Sequence, residues 1–255
     1  HYIMNILSVN KITKHYGNIK ALQEVSFDVP KGSVFGILGP NGSGKTTLLG
    51  IVTDVLRADA GDFTLFEDNW TSKEDLRKRM GTLLETPNFY HYLSAYDNLE
   101  ITAEIKGVDK AGIDPVLQKV GLYERRHSRF STFSLGMKQR LGIASALLGD
   151  PEALILDEPT NGLDPEGIAE IRTLIKELGA TGHTIIMASH LLDEVEKVCT
   201  HVAILKSGTL LAAGKSNQIL ADEDIIEVSA ADIEKLHSVL TETYPGAKVT
   251  REDDS

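Results

Sequence analysis

The sequence predicts an α/β fold in which a mainly parallel sheet is covered by helices on both faces. One observation is an apolar segment, 34–38, that leads directly into a glycine-rich loop and then a helical pattern. The other is that strand and helix patterns alternate again after residue 152, with apolar runs at 153–156, 184–188 and 202–205. Strands that alternate with helices pair in parallel, because each crossover helix returns the chain to the same end of the sheet.

Residues 5–35 are predicted to be β structure. Residues 7–12 and 25–29 each alternate apolar and polar side chains, as strands with one buried face do. A helix is expected over about 45–56, directly after the glycine-rich loop, and residues 63–65 are expected to form another strand.

The middle and the end of the chain depart from this pattern. Residues 72–148 are predicted to be mostly helical, with the clearest helix over 134–148. Pro165 predicts the start of the next helix, because proline is tolerated in a first turn, and another helix is expected over about 191–198. From Asp222 to Ser255 ten acidic residues face three basic ones, and this segment is predicted to be a small appendage with a solvated face.

The glycine-rich loop is the most informative stretch of the sequence, because it fits the P-loop pattern between a strand and a helix. A helix start offers unpaired N–H groups and a positive dipole end, and glycines let the backbone wrap phosphates. Lys45 can reach the β- and γ-phosphates, and the Thr46 hydroxyl can ligate Mg2+. The predicted nucleotide-binding residues here are Gly39, Pro40, Asn41, Gly42, Ser43, Gly44, Lys45, Thr46 and Thr47.

Two acidic residues follow a second buried strand. Asp157 and Glu158 come directly after the apolar run 153–156. Open α/β sheets place ligands at the carboxyl ends of their strands, so Asp157 is predicted to hold Mg2+. Glu158 points elsewhere, which suits a general base acting on the attacking water. Many strands end in acids, and it is the P-loop upstream that makes this pair informative.

The bulk composition argues against several classes of protein. The net charge of −11 argues against a nucleic-acid partner, since such proteins present a basic face. Cys199 is the single cysteine, so no disulfide can form within the chain, which fits a reducing cytosol. No run of 18 apolar residues occurs, and the start of the chain does not resemble a signal peptide. We therefore expect any link to a membrane to come through a partner.

Several motifs in a fixed order resemble the nucleotide-binding subunit of an ATP-binding cassette (ABC) transporter over residues 5–215. Besides the P-loop and the acidic pair, residues 133–140 resemble the signature loop of that family. Residues 161–164 lie where its D-loop belongs, and Ser189-His190 where its switch histidine belongs. Tyr16-Gly17 matches the aromatic residue that stacks on adenine.

The resemblance implies a P-loop NTPase fold with a RecA-like, mainly parallel sheet, an antiparallel β subdomain and a helical subdomain. We expect the nucleotide-binding domain over residues 5–215 and its helical subdomain over about 86–148. Residues 216–255 are expected to form the small acidic C-terminal appendage.

The resemblance also implies that one copy holds only part of an active site. Two copies, as a homodimer or heterodimer, would pack head to tail with two ATP molecules between them. Asp164 of the D-loop would cross that interface, and His190 would hold Glu158 and the water. The implied catalytic residues are Glu158, His190 and Lys45. The signature loop would grip the partner's γ-phosphate through the start of a helix, at Ser134, Leu135, Gly136 and Met137.

Two departures from the family pattern affect the site. Leu135 stands where a glycine is usual and Met137 where glutamine is common, although Ser134 and Gly136 remain. Glu85 stands where the family has glutamine, and its carboxylate can also ligate the metal or its waters. The implied metal ligands are therefore Thr46, Asp157 and Glu85. These departures resemble the branch that exports or confers resistance to bacitracin and lantibiotics.

The implied function is that of an ATPase subunit that powers a separate membrane permease for the export of a peptide antibiotic, a lipid or a drug-like cargo. Such a subunit lies on the cytoplasmic face of the membrane. Five residues are candidates either for docking the permease or for the helical subdomain's own core: Phe89, Tyr90, Tyr92, Leu93 and Leu99. Two alternatives are a soluble ABC protein that acts on ribosomes or DNA, and a small-molecule kinase with a P-loop, which would not need the Ser134 and Asp164 loops.

Overall fold

The computed structural model describes residues 4–66, 78–84 and 88–220. A three-stranded antiparallel sheet comes first, in the spatial order β2-β1-β4. Its long central strand places Val9 between Phe27 and Phe63 of its two neighbours. These strands are β1 (Asn5–Tyr16), β2 (Ile19–Pro30) and β4 (Ala60–Leu65).

The second sheet has six strands in the order β5-β6-β7-β3-β8-β9. Five of these strands run parallel, and β9 pairs antiparallel with β8 at one edge. They are β3 (Val34–Leu38), β5 (Met80–Leu83), β6 (Ala153–Asp157), β7 (Thr184–Ser189), β8 (His201–Lys206) and β9 (Thr209–Lys215).

Seven α-helices lie in the described part of the chain, and three short 3-10 turns accompany them. They are α1 (Lys45–Val52), α2 (Ala95–Lys106), α3 (Ile113–Lys119), α4 (Leu135–Leu147), α5 (Pro165–Ala180), α6 (Leu192–Val198) and α7 (Ser216–Ile219). In residues 4–66, 78–84 and 88–220, none of these helices has the length and apolar character to cross a bilayer.

Two hydrophobic cores sandwich the six-stranded sheet. Ile155 and Ile186 face the core shared with α1 and the antiparallel sheet. Leu154 and Ile185 face the other core, which the helices α2 to α6 cover. Both faces of β6 and β7 are therefore buried, and this explains why these strands read as continuous apolar runs.

The parallel register brings three chain segments to one edge of the sheet. Leu38 pairs with Ser189, and Asp157 pairs with Ala188, so β3, β6 and β7 end side by side. The glycine-rich loop, the acidic pair and the predicted switch histidine follow these three strand ends. The fold class predicted from the sequence is confirmed, including the mainly parallel sheet, the antiparallel sheet and the helical part.

One predicted helix boundary was wrong, and one short strand was not expected. The helix expected over 45–56 ends at Val52, because Asp54 takes a left-handed conformation with φ of 59° and the N–H groups of Val55 and Leu56 both turn back to Gly50 O. The mostly helical segment 72–148 contains the strand β5, which is only four residues long and too short to show a period.

The edge strand β9 was not expected, although Ser207-Gly208 forms the tight turn before it with positive φ at both residues. The appendage predicted over 216–255 falls, from residue 221 onward, outside the described residues. Its boundary, like that of the helical subdomain at about 86–148, stays a prediction.

Candidate functional site

The glycine-rich loop joins β3 to α1 in a conformation that needs glycine. Gly44, the residue before α1, has φ of 105°, and a Cβ there would lie 2.5 Å from Ala21 O of β2. A Cβ on Gly39 would lie 2.3 Å from Leu205 O. Gly44 has no side chain that caps the first N–H groups of α1, so these donors remain for an anion.

The ammonium group of Lys45 lies inside the loop and is only 5% exposed. Its Nζ donates to Gly39 O at 2.7 Å and to Pro40 O at 3.2 Å, and it lies 3.4 Å from Glu158 Oε1. Carbonyl oxygens are weak substitutes for phosphate oxygens, because they carry only partial charge. The loop therefore holds a cation where the phosphates of a nucleotide would lie.

Thr46 and Asp157 meet across the sheet edge, where the Thr46 hydroxyl donates to Asp157 Oδ2 at 2.7 Å. Burial raises the pKa of Asp157 and the neighbouring Glu158 charge adds to this, whereas the Thr46 hydrogen bond and Lys45 lower it. Asp157 Oδ1 is buried and has no hydrogen-bond partner among the described residues. A cation bound at this carboxylate would offset the cost of burying its charge and would give Oδ1 a partner.

These two residues fit a magnesium site whose other ligands come from the substrate. Within residues 4–66, 78–84 and 88–220, no cluster of three or more His, Cys, Asp or Glu side chains could hold a metal alone. Mg2+ in proteins is usually held by one or two carboxylates together with phosphate oxygens and waters. A hydroxyl and a carboxylate beside a phosphate loop match that set. Glu85, the third predicted metal ligand, lies outside the described residues.

The backbone of Glu158 has φ of 47°, a left-handed conformation that non-glycine residues seldom adopt. Its N–H donates to Ala188 O at 3.0 Å, which holds the turn against β7. His190 Nδ1 lies 2.8 Å from Glu158 Oε2. Because an ionised carboxylate only accepts hydrogen bonds, Nδ1 carries the hydrogen of this contact. The structure thus brings Lys45, Asp157, Glu158 and His190 together.

The predicted signature loop lies at the start of α4. Ser134 caps this helix, its hydroxyl accepting from Met137 N at 3.2 Å, and Leu135 is 44% exposed. Asp164 caps α5 in the same manner, accepting from Gly167 N at 2.9 Å. These polar side chains bond to the backbone of their own helices. They make no hydrogen bond to the glycine-rich loop or to the acidic pair.

Tyr16 ends β1 and is 45% exposed. Lys14 Nζ lies 5.5 Å from the centre of its ring, and Asp59 accepts from both Lys14 Nζ and the His15 N–H. The sequence did not point to Asp59 or Lys14, because a contact between residues 44 or 45 positions apart leaves no local pattern.

The five candidates for a docking surface are divided by the structure. Leu99 is fully buried, and Phe89 packs against Phe130 at a centroid distance of 5.3 Å, so both contribute to the core of the helical part. Tyr90 and Tyr92 are exposed, and their rings lie 6.0 Å apart. Leu93 is half-buried, so Tyr90 and Tyr92 are the two clear surface candidates among the five.

The sequence is similar to ATP-binding proteins of ABC transporters. A profile described as "ABC transporter" matches residues 22–161. The chain is 41% identical over 209 residues to the bacitracin transport ATP-binding protein BcrA of Enterococcus faecalis, covering 81% of this chain and 68% of that protein. It is 42% identical over 206 residues to the lantibiotic transport ATP-binding protein SrtF of Streptococcus pyogenes, covering 81% and 89%.

A solved structure gives the same result at the level of the fold. The structure of CbiO1 from Clostridium perfringens, described as part of the ABC transporter complex cbiONQ, superposes with a TM-score of 0.77 at 27% identity. The superposition covers 95% of this chain and 96% of that one.

Proposed function

The chain belongs to the ABC transporter family as an ATP-binding subunit with ATPase activity, and we propose that two copies close head to tail around two ATP molecules. The observation that carries this proposal is the contrast between the site's two parts. Lys45, Asp157, Glu158 and His190 lie together at one sheet edge, whereas Ser134 lies in an exposed loop and its hydroxyl bonds to the backbone of its own helix.

Lys45 changes its hydrogen-bond partners when the nucleotide binds. Its ammonium group exchanges Gly39 O, Pro40 O and the Glu158 carboxylate for the β- and γ-phosphate oxygens, which form stronger charge-assisted hydrogen bonds. This exchange releases Glu158 Oε1, while Oε2 stays hydrogen-bonded to His190. The base becomes available only when a triphosphate occupies the loop.

Glu158 then acts as general base for hydrolysis. Its Oε1 accepts a proton from a water that attacks the γ-phosphorus, the bond between the β–γ bridging oxygen and that phosphorus breaks, and ADP and phosphate leave. His190 holds the carboxylate in place and can donate from Nε2, when protonated, to the γ-phosphate. Thr46 and Asp157, with Glu85, would hold Mg2+, whose charge stabilises the transferred phosphoryl group.

The signature loop completes the site of the other copy. The first N–H groups of α4, together with the Ser134 hydroxyl, grip the γ-phosphate bound by the partner, and Asp164 crosses the shared interface. Hydrolysis and release of phosphate remove these contacts, so the dimer opens. ATP thus favours the closed state because only that state offers the second set of donors.

The movement reaches a membrane permease through the helical part of the chain, where Tyr90 and Tyr92 offer an exposed aromatic surface. The subunit lies on the cytoplasmic face of the membrane and drives export. The named transport of bacitracin and of lantibiotics by the relatives supports a peptide antibiotic, lipid or drug-like cargo. A role on ribosomes or DNA is not favoured, since the net charge is −11 and the relatives are named for transport.

Site-directed cross-linking between two differently tagged chains tests this arrangement. One chain carries Asn41→Cys in the exposed part of the glycine-rich loop, and the other carries Ser134→Cys. Native Cys199 does not interfere, because it is buried and burial raises the pKa of its thiol to about 12. We expect a cross-link between the two tags only with ATP in a Glu158→Gln background. Glu124→Cys, exposed elsewhere in the helical part, should give none. A cross-link that forms equally without nucleotide would contradict the proposal.

A further inference from the structure

Arg172 joins α5, the helix that Asp164 caps, to α6, the helix that follows His190, through a buried ion pair with Glu194 and a longer one, 3.7 Å, with the exposed Asp193. Arg172 on α5 donates through Nη2 to Glu194 Oε1 on α6 at 2.7 Å. Glu194 is only 4% exposed. Neither residue belongs to a motif recognised in the sequence, yet each is on a helix adjoining one of the two loops.

The Arg172–Glu194 pair uses only one of two available hydrogen bonds. Arg172 Nε and Glu194 Oε2 are both buried, and neither has a hydrogen-bond partner in the part of the chain that the structure describes. A guanidinium and a carboxylate can form two parallel bonds, through Nε and a terminal nitrogen. Arg172 Nε and Glu194 Oε2 are the two atoms that a second bond would join.

We propose that Arg172 and Glu194 are positioning residues that keep His190 aligned with Glu158 when α5 moves at the interface between copies. The proposal rests on the proposed function, because it requires Asp164 at that interface and His190 at the γ-phosphate. Glu194 lies four residues after His190, in the first turn of α6, and that turn is closed by the bond from Val195 N to Leu191 O at 3.3 Å.

A purely stabilising role explains this pair poorly. Burying two charges costs desolvation energy that their attraction often fails to recover, and apolar replacements of similar size are frequently as stable. Ile171 and Val195 already pack in the same core, so apolar contact joins the two helices without the charges. Apolar contact has no preferred direction, whereas the ion pair fixes one helix relative to the other.

The test measures the thermal midpoint of unfolding (Tm) together with kcat and KM for ATP in the purified protein. We expect Glu194→Gln to lower kcat about tenfold with KM unchanged, because a small misplacement of a catalytic group costs rate and not binding. In the double variant Arg172→Met/Glu194→Met no buried charge is left unpaired, so Tm should equal or exceed that of the parent. Its kcat should stay low. The control Lys176→Gln changes an exposed side chain on α5, the helix that carries Arg172, and should leave all three values unchanged.

Recovery of the parent's kcat in the Met/Met variant would overturn the proposal and leave the pair a structural role. Normal kcat in Glu194→Gln would overturn it as well. If Glu194→Gln is recovered unfolded, the Met/Met variant decides between the two roles. Glu158→Gln separates this inference from the proposed function. An inactive Glu158→Gln beside fully active Glu194 variants refutes only the positioning pair, whereas full turnover in Glu158→Gln refutes the catalytic site itself.

Discussion

The edge of the parallel sheet and the exposed start of α4 use their polar groups in different ways. At the sheet edge the functional side chains contact one another, Thr46 with Asp157 and Glu158 with both Lys45 and His190. At the start of α4, Ser134 bonds only to the backbone of its own helix, and the neighbouring Leu135 is exposed.

The difference shows which part of the site the fold of one chain can assemble. Parallel strands bring their carboxyl ends to a common edge, so residues more than a hundred positions apart meet there. The start of α4 belongs to the helical part and presents its donors outward. In the proposed dimer, the outward-facing half of one copy would complete the assembled half of the other.

The largest effect is expected from a substitution in the assembled half of the site, at the sheet edge. Glu158→Gln removes the general base and keeps the shape of the side chain, so turnover should fall about 100-fold or more while ATP still binds. The measurement is release of phosphate at saturating ATP, with Glu177→Gln, an exposed carboxylate on α5, as the control. Normal ATPase activity in Glu158→Gln would remove Glu158 from the base role.

Loss of the buried ammonium comes next. Lys45→Ala deletes charge-assisted hydrogen bonds to the phosphates, which should weaken nucleotide binding about 10- to 100-fold. Titration with a fluorescent ATP analogue measures this change. Lys31→Ala, which breaks a surface ion pair with Glu152, should bind the analogue as the parent does. Equal affinity of the two variants would place the phosphates elsewhere.

The exposed half is tested by comparing two serine caps. Ser134 and Ser94 both cap helices, so replacing either by alanine should cost about 1 kcal/mol of stability. Only Ser134→Ala should also lower ATPase turnover, by about tenfold, because it alone removes a donor to the partner's γ-phosphate. Assays should be run well below the Tm of both variants. Matching turnover in the two variants would reduce Ser134 to a structural cap.

A smaller effect is expected where the base of the nucleotide would stack. Tyr16→Ala should weaken ATP binding about 3- to 10-fold, the usual range for an aromatic contact. Tyr92→Ala removes a more exposed ring far along the chain and should leave ATP binding unchanged. Isothermal titration of the two variants separates them, and a weaker Tyr92→Ala would contradict the assignment.

The smallest effect concerns stability and pH in the absence of ATP and Mg2+. Burial raises the pKa of Asp157 above its ordinary value of 3.8, so the folded protein keeps a proton that the unfolded chain has released. The stability contribution of Asp157 therefore falls as pH rises from 3.8 through the raised pKa, and it stays lower above that range. Asp157→Asn should raise Tm at pH 7 and lose this advantage near pH 3.8.

The control for this prediction is Asp193→Asn. The hydrogen bond from Lys197 lowers the pKa of Asp193, so Asp193→Asn should not raise Tm at pH 7. A Tm of Asp157→Asn below that of the parent at pH 7 would mean that the Asp157 carboxylate is not held at a cost to stability.

The assembled half was largely predictable from the sequence, because each of its segments has a local pattern. An apolar run before glycines predicts β3 and the loop, and another before two acids predicts β6 and Asp157. The register that puts Asp157 beside Ala188 and Leu38 beside Ser189 follows from the parallel arrangement. Local pattern and tertiary arrangement agree in this region.

Other features depend on contacts that leave no local signal. Lys45 pairs with Glu158, and Arg172 with Glu194, although the partners are far apart in the chain. The sequence alone does not distinguish such pairs from acidic and basic residues that lie separately on the surface. The strand β5 is held by its neighbour β6 and by the close approach of Gly81 to Ala146 O, not by any period of its own. The left-handed turn at Asp54 ended α1 four residues earlier than its apolar pattern suggested.

The most direct test of the account is the mass of the Glu158→Gln protein in solution by light scattering. Without nucleotide, or with ADP, the mass should be that of one chain, 27.8 kDa. With saturating MgATP it should double, and the added substitution Ser134→Ala should weaken that doubling. A protein that hydrolyses ATP at its full rate while its mass stays at 27.8 kDa at every concentration would contradict the account.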